Sequence, residues 1–125
     1  MTLHNYINED QALAIVKSGD RVFIHGGAAT PVCLVNALQK RHHQLTNVEL
    51  ISITTLGNVN FDAPELKKAF FFNSLFVSPT TRNIVNSENG DYVPIFLSQI
   101  PQLFRKNILT IDVALIQVSP PDVHG

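Results

Sequence analysis

The chain has 125 residues, a formal net charge of −1, 45% hydrophobic and 15% charged residues, and one cysteine. That length gives a single domain with a real core, and the composition excludes a disordered chain. A near-neutral chain has no field to draw in nucleic acid, no apolar run reaches the ~18 residues of a membrane helix, and one cysteine excludes an internal disulfide.

The first predicted element is a helix. Asn8 is a capping residue, and Gln11, three positions on, is its reciprocal partner. Ala12, Leu13, Ile15 and Val16 form the apolar face, and Gly19 supplies the left-handed stop. Arg21 to Ile24 is a short strand. It empties into His25-Gly26-Gly27-Ala28-Ala29-Thr30-Pro31, where Thr30 suits an N-cap and Pro31 the first helical position. The helix that follows is predicted to run to about His42, burying Val32, Leu34, Val35 and Leu38.

Val48 to Ile53 is a second strand, ending in Thr54-Thr55-Leu56-Gly57. Asp62-Ala63-Pro64-Glu65 reads as a helix start, and the aromatic-rich stretch from Ala69 to Val77 as strand. Ser78-Pro79-Thr80-Thr81 opens a short helix with Thr80 as cap. Gly90 to Pro94 is a loop or an edge strand, because Pro94 cannot donate to a ladder. Leu97 to Pro101 begins a helix closed by Asn107, and Ile111 to Val118 reads as a buried strand. Strands alternating with helices predict an α/β fold, a largely parallel sheet with flanking helices over residues 1–125 as one unit.

Parallel strands place ligands outside their carboxyl ends, so the segments that follow strands are the candidate sites. At Gly26 and Gly27 small residues let a ligand reach backbone N–H groups at a helix start, although tight packing alone also explains such a turn. No dinucleotide fingerprint or P-loop is present. Thr54, Thr55, Thr80 and Thr81 fall on the same rim, with helix capping as the competing role. In Ser119-Pro120-Pro121-Asp122-Val123-His124-Gly125 two prolines stiffen the backbone, and Asp122 and His124 can orient a substrate or brace a corner. A buried strand emptying into that loop predicts an enzyme with further polypeptide beyond it.

Other candidates are weaker. Cys33 falls in the first turn of a helix, where thiolates are stabilised, but no histidine is spaced to serve as its base; burial as a small apolar residue is the expectation. Adjacent His42 and His43 point to different helix faces, so no metal site is expected. Asp62, Glu65, Glu88, Asp91 and Asp122 lie in contexts that do not argue for a reactive carboxylate. A low charge content together with Phe70-Phe71-Phe72 and Phe76 predicts some exposed apolar surface, which supports an alternative reading as a non-catalytic binding or assembly module that needs a separate partner.

Ile116-Gln117-Val118-Ser119-Pro120-Pro121-Asp122-Val123-His124-Gly125 resembles the signature of the acetyl-CoA hydrolase/CoA-transferase family, in particular its 4-hydroxybutyrate and butyrate types. Lys17 to Ile24, Asn47 to Leu50, Asp91 to Ser98 and Asp112 to Leu115 extend the similarity across nearly the whole chain. The resemblance implies a fold of the NagB/RpiA/CoA-transferase type, here the incomplete first of two α/β halves with an acyl-CoA cleft between them. It implies coenzyme A and short-chain acyl-CoA as substrates rather than a permanently bound cofactor, with a carboxylate such as acetate as acceptor. It also implies a nucleophilic glutamate in the missing C-terminal half. A lone cysteine and an N-terminus with no basic start followed by an apolar stretch predict a cytoplasmic protein, expected as a homo-oligomer. Gly26, Gly27, Thr54, Thr55, Thr80, Thr81 and the 119–125 loop are the positions that match the cleft wall. His25, where a small residue is common, and Val123, where an acid is frequent, depart from the pattern.

Overall fold

The structure, a computed structural model, describes residues 6–122. Helix α1 (Glu9–Leu13) opens with the predicted capping box: Gln11 N–H donates to Asn8 Oδ1 at 2.8 Å, and Asn8 N–H to Gln11 Oε1 at 3.3 Å. The helix is short. Its C-terminal continuation turns early, so Val16 is buried while Ile15, expected on the same face, is 63% exposed. Gly19 has φ +85°, the left-handed stop the sequence calls for. Asn8→Ala is expected to destabilise by about 1 kcal/mol in chemical denaturation, since it removes the side-chain oxygen that accepts from Gln11 N–H.

Strands β1 (Arg21–Ile24), β2 (Val48–Ser52), β3 (Phe70–Ser74), β4 (Gly90–Tyr92) and β5 (Val113–Leu115) form one parallel sheet in the order β4-β3-β2-β1-β5. The chain walks outward from β1 to β4, then returns to the far side of β1. The sheet is covered on both faces. On one, Val22, Ile24, Val48, Leu50, Phe70 and Phe72 meet Leu13 and Val16, together with Val35 and Leu38 of α2 (Val32–Lys40). Ile84 of α3 (Arg82–Val85) closes the same layer near β4. On the other, Ile51 and Leu75 pack with Ile100 of α4 (Ile100–Arg105), and Phe104 meets Phe23 edge-on at 5.8 Å. Away from α4 that second face is polar: the Arg21 Nε–H group donates to Glu49 Oε2 at 2.7 Å, and Asn73 Nδ2 donates to Glu49 Oε1 at 2.9 Å.

Several boundaries differ from expectation, each for a physical reason. Helix α2 starts at Val32, since Thr30 donates its hydroxyl to Gly27 O instead of capping, and it ends at Lys40. Asp62 to Glu65 yields only a single 3-10 turn, Pro64–Leu66, with Pro64 at its start. Thr80 is not the cap of α3; Thr81 occupies that position and makes no side-chain capping bond. Asn107 does close α4, with φ 53°. The largest difference is β5. It covers three residues rather than eight, and only Leu115 in it is buried. It pairs with β1 alone, so Ile116 and Val118 stay 44% and 74% exposed. Cys33 is exposed rather than buried, since roughly 200° of helical rotation separates it from inward-facing Val35. Phe70 and Phe72 are core, and of the aromatic run's neighbours Phe76 supplies exposed surface.

Candidate active-site cleft

In a doubly wound parallel sheet the crevice lies where the strand order reverses, outside the carboxyl ends. Here that point falls between β1 and β5. His25 to Pro31 leaves one strand, and residues 116–122 leave the other. The two are joined directly: His25 N–H donates to Leu115 O at 2.9 Å, and Gln117 N–H donates to His25 Nδ1 at 3.3 Å.

The glycine turn is built against the loop after β2. Gly27 N–H donates to Thr54 O at 2.7 Å, and Gly27 and Thr55 form a parallel bridge. Gly27 has φ +61°, which a side chain with a β-carbon resists. A Cβ at Gly26 would lie 2.7 Å from Thr54 O, so only glycine lets the two backbones approach this closely. Thr30 locks the turn from beneath. Its hydroxyl donates to Gly27 O at 2.8 Å and accepts from Leu56 N–H at 3.1 Å.

Thr54, Thr55, Thr80 and Thr81, in the segments after β2 and β3, divide into two kinds. Thr55 and Thr81 are fully buried. Thr55 Oγ1 shares a 2.6 Å hydrogen bond with Ser52 Oγ, and Thr81 Oγ1 accepts from Ser78 N–H at 3.0 Å. Ser78 Oγ donates to Thr55 O at 3.2 Å, stitching the segment after β3 to the segment after β2. These hydroxyls hold the rim. Thr54 and Thr80 are partly exposed. The 119–122 segment is exposed at the exit of β5, and His124 and Gly125 lie outside the described residues.

Sequence reasoning missed Ser52 and Ser78, which complete the hydroxyl network, and the wall beside it. Thr54, Phe76, Tyr92, Ile95, Phe96 and Leu97 line a cavity of about 680 Å³ at the carboxyl ends of β2, β3 and β4. The signal was available: Tyr92-Val93-Pro94-Ile95-Phe96-Leu97 is an apolar run interrupted by proline, so it cannot continue as strand.

Carboxylates are scarce here. Glu49 is engaged by Arg21 and Asn73 on the sheet, while Glu65 and Glu88 are exposed in segments that lead into β3 and β4, at the opposite, amino-terminal end. Among the described residues no group of three or more His, Cys, Asp or Glu side chains is placed to hold a metal ion. Among the same residues no helix is long and apolar enough to cross a membrane.

The chain is 42% identical over 120 residues to a succinyl-CoA:acetate/propanoyl-CoA:succinate CoA transferase of Fasciola hepatica, an alignment covering 94% of this chain and 25% of the relative. It is 35% identical over 119 residues to the 4-hydroxybutyrate coenzyme A transferase of Clostridium kluyveri, covering 95% of this chain and 28% of the relative. The chain thus spans about a quarter of the length of these relatives. Among solved structures, RipA from Yersinia pestis superposes with a TM-score of 0.83 at 25% identity, over 95% of this chain and 30% of that one. Residues 3–125 match the acetyl-CoA hydrolase/transferase N-terminal domain, and the chain belongs to that family.

Proposed function

We propose that residues 1–125 form part of the wall of an acyl-CoA cleft in an enzyme that moves CoA between a short-chain acyl-CoA and a carboxylate such as acetate. The observation that carries this reading is the crevice at the strand-order reversal. There the Gly26-Gly27 turn is pressed onto Thr54, and the 116–122 segment emerges beside it. The relatives at 42% and 35% identity, both CoA transferases by name, support the same reaction class.

Transfer through a covalent carboxylate needs a glutamate positioned against the thioester carbon. Glu49, Glu65 and Glu88 are tied up or stand at the wrong end of the sheet, and Glu9 belongs to α1. On this reading the nucleophile is supplied by polypeptide outside these residues, in the second half of the cleft that the family resemblance implies. What this chain contributes is shape: an ordered rim and small residues that let a ligand approach, both of which hold a substrate in reacting geometry.

The test is an exchange assay. Residues 1–125 alone, incubated with acetyl-CoA and isotopically labelled butyrate, are expected to give neither labelled butyryl-CoA nor free thiol. The complete polypeptide carrying them is expected to give labelled butyryl-CoA. Turnover by residues 1–125 unaided overturns the division of labour, and absence of any exchange in the complete polypeptide overturns the transferase reading.

A further inference from the structure

Strand β4 begins at the one Asn-Gly pair in the sequence, Asn89-Gly90. Such a pair is chemically labile, because glycine has no side chain to keep its nitrogen away from the neighbouring amide carbon. The fold nevertheless fixes both members. A Cβ at Gly90 would stand 2.4 Å from Ile84 O and 3.0 Å from Val85 Cα, backbone atoms that cannot rotate away. Asn89 ties three segments together. Its Nδ2–H group donates to Lys67 O at 2.6 Å, its carbonyl accepts from Phe72 N–H at 2.9 Å, and its own N–H donates to Ser87 Oγ at 3.1 Å.

Those bonds also restrain the reacting groups. Gly90 N, the nitrogen placed to attack, donates to Ser87 O at 3.4 Å, and the amide nitrogen that would leave is the one bound to Lys67 O. Asn89 and Gly90 are only half-buried, so water reaches them. The restraint is as strong as the sheet edge and no stronger. Strand β4 has three residues, pairs with β3 alone and leaves Asp91 and Tyr92 exposed, the profile of a segment that opens locally before the sheet unfolds.

We propose that Asn89 is a site of spontaneous deamidation gated by local opening of β4, so that the modified chain carries a permanent record of the loss of its edge strand. Once β4 opens, Gly90 N attacks Asn89 Cγ. The N–Cγ bond forms, the Cγ–Nδ2 bond breaks, and ammonia leaves with the proton given up by Gly90 N. Water then opens the cyclic imide at either carbonyl, giving aspartate or isoaspartate, with no oxidant or reductant involved. Aspartate has no N–H to offer Lys67 O and sets a carboxylate against that carbonyl. Isoaspartate adds a methylene to the main chain next to Gly90, where the register with Phe72 begins, so the ladder cannot re-form in place. None of these steps depends on acyl transfer.

The 125-residue protein, held at mildly alkaline pH with and without urea, provides the test. Conversion is read by peptide mapping and by enzymatic methylation of isoaspartyl carboxyl groups. In urea Asn89 is expected to convert faster than every other asparagine, and Gly90→Ala, used in urea alone, is expected to slow it. Native buffer is expected to slow Asn89 by on the order of tenfold or more relative to urea. Ser87→Ala removes the acceptor of Asn89 N–H and is expected to speed conversion in native buffer while leaving the rate in urea unchanged, with far-UV circular dichroism confirming the fold. Asn89→Asp, which carries one product outright, is expected to lower the exchange protection of the Phe72 amide. Equal rates for Asn89 in the folded and unfolded chain, or a different asparagine leading in urea, overturns the proposal. So does a native rate unmoved by folded Ser87→Ala together with unchanged Phe72 protection in Asn89→Asp.

Discussion

Phe72→Ala is expected to lower stability by about 3–5 kcal/mol and the thermal midpoint by roughly 10–20 °C. Phe72 is fully buried at the centre of β3, with Leu50 and Gly90 as its register neighbours on either side. Its ring meets Phe61 at a centroid distance of 4.8 Å, so the loop between β2 and β3 also depends on it. Truncation leaves a cavity that cannot easily collapse, because parallel ladders on both sides hold the backbone where it is. A loss of that size is a large share of the ~5–15 kcal/mol that keeps a domain folded. Phe76→Ala is the control. Its side chain is 58% exposed, so a change within about 0.5 kcal/mol is expected from a surface position. Circular dichroism melts of the two variants decide the matter: comparable losses would mean that the sheet is not layered as described.

The aromatic run also shows what could be read before the structure. Phe70-Phe71-Phe72 announces a strand by composition, and the spacing of Val22, Ile24, Val48 and Leu50 gives the inward face of two more. A parallel sheet then sends every strand's carboxyl end to one edge, which is why Gly26, Gly27, Thr54 and Thr55 could be grouped without coordinates. Ile111 to Val118 was misleading for a definite reason: an apolar stretch has the same period whether its strand is covered on both sides or sits at an edge, and here only Leu115 is covered. The fates of the threonines were not legible either. Whether Thr55 faces a ligand or bonds Ser52 depends on backbone direction at the strand end, and its link to Ser78 depends on where β3 lies beside β2. The cavity wall joins residues 53 and 54 with 76 and 92–99, segments that no local pattern connects.

Gly26→Ala is expected to cost about 1–3 kcal/mol and to lower the protection of the Gly27 amide against exchange. The added Cβ would meet Thr54 O at 2.7 Å and Thr54 N at 3.2 Å. Both are backbone atoms, so relief cannot come from a side-chain rotation. The turn must move away from the loop after β2, and the 2.7 Å hydrogen bond from Gly27 N–H to Thr54 O lengthens with it. Gly27 provides the contrast. Nothing lies within 4 Å of a Cβ there, and its constraint is the φ of +61°. Asparagine tolerates that left-handed conformation, so Gly27→Asn is expected to be the milder change, while Gly26→Asn is expected to be at least as harmful as Gly26→Ala. Urea denaturation, with amide exchange at Gly27 as a local probe, separates the two cases. If Gly26→Ala leaves both stability and Gly27 protection intact, the close approach of the two backbones is not what shapes this rim. If Gly27→Asn proves worse than Gly26→Ala, conformation rather than contact is the governing constraint.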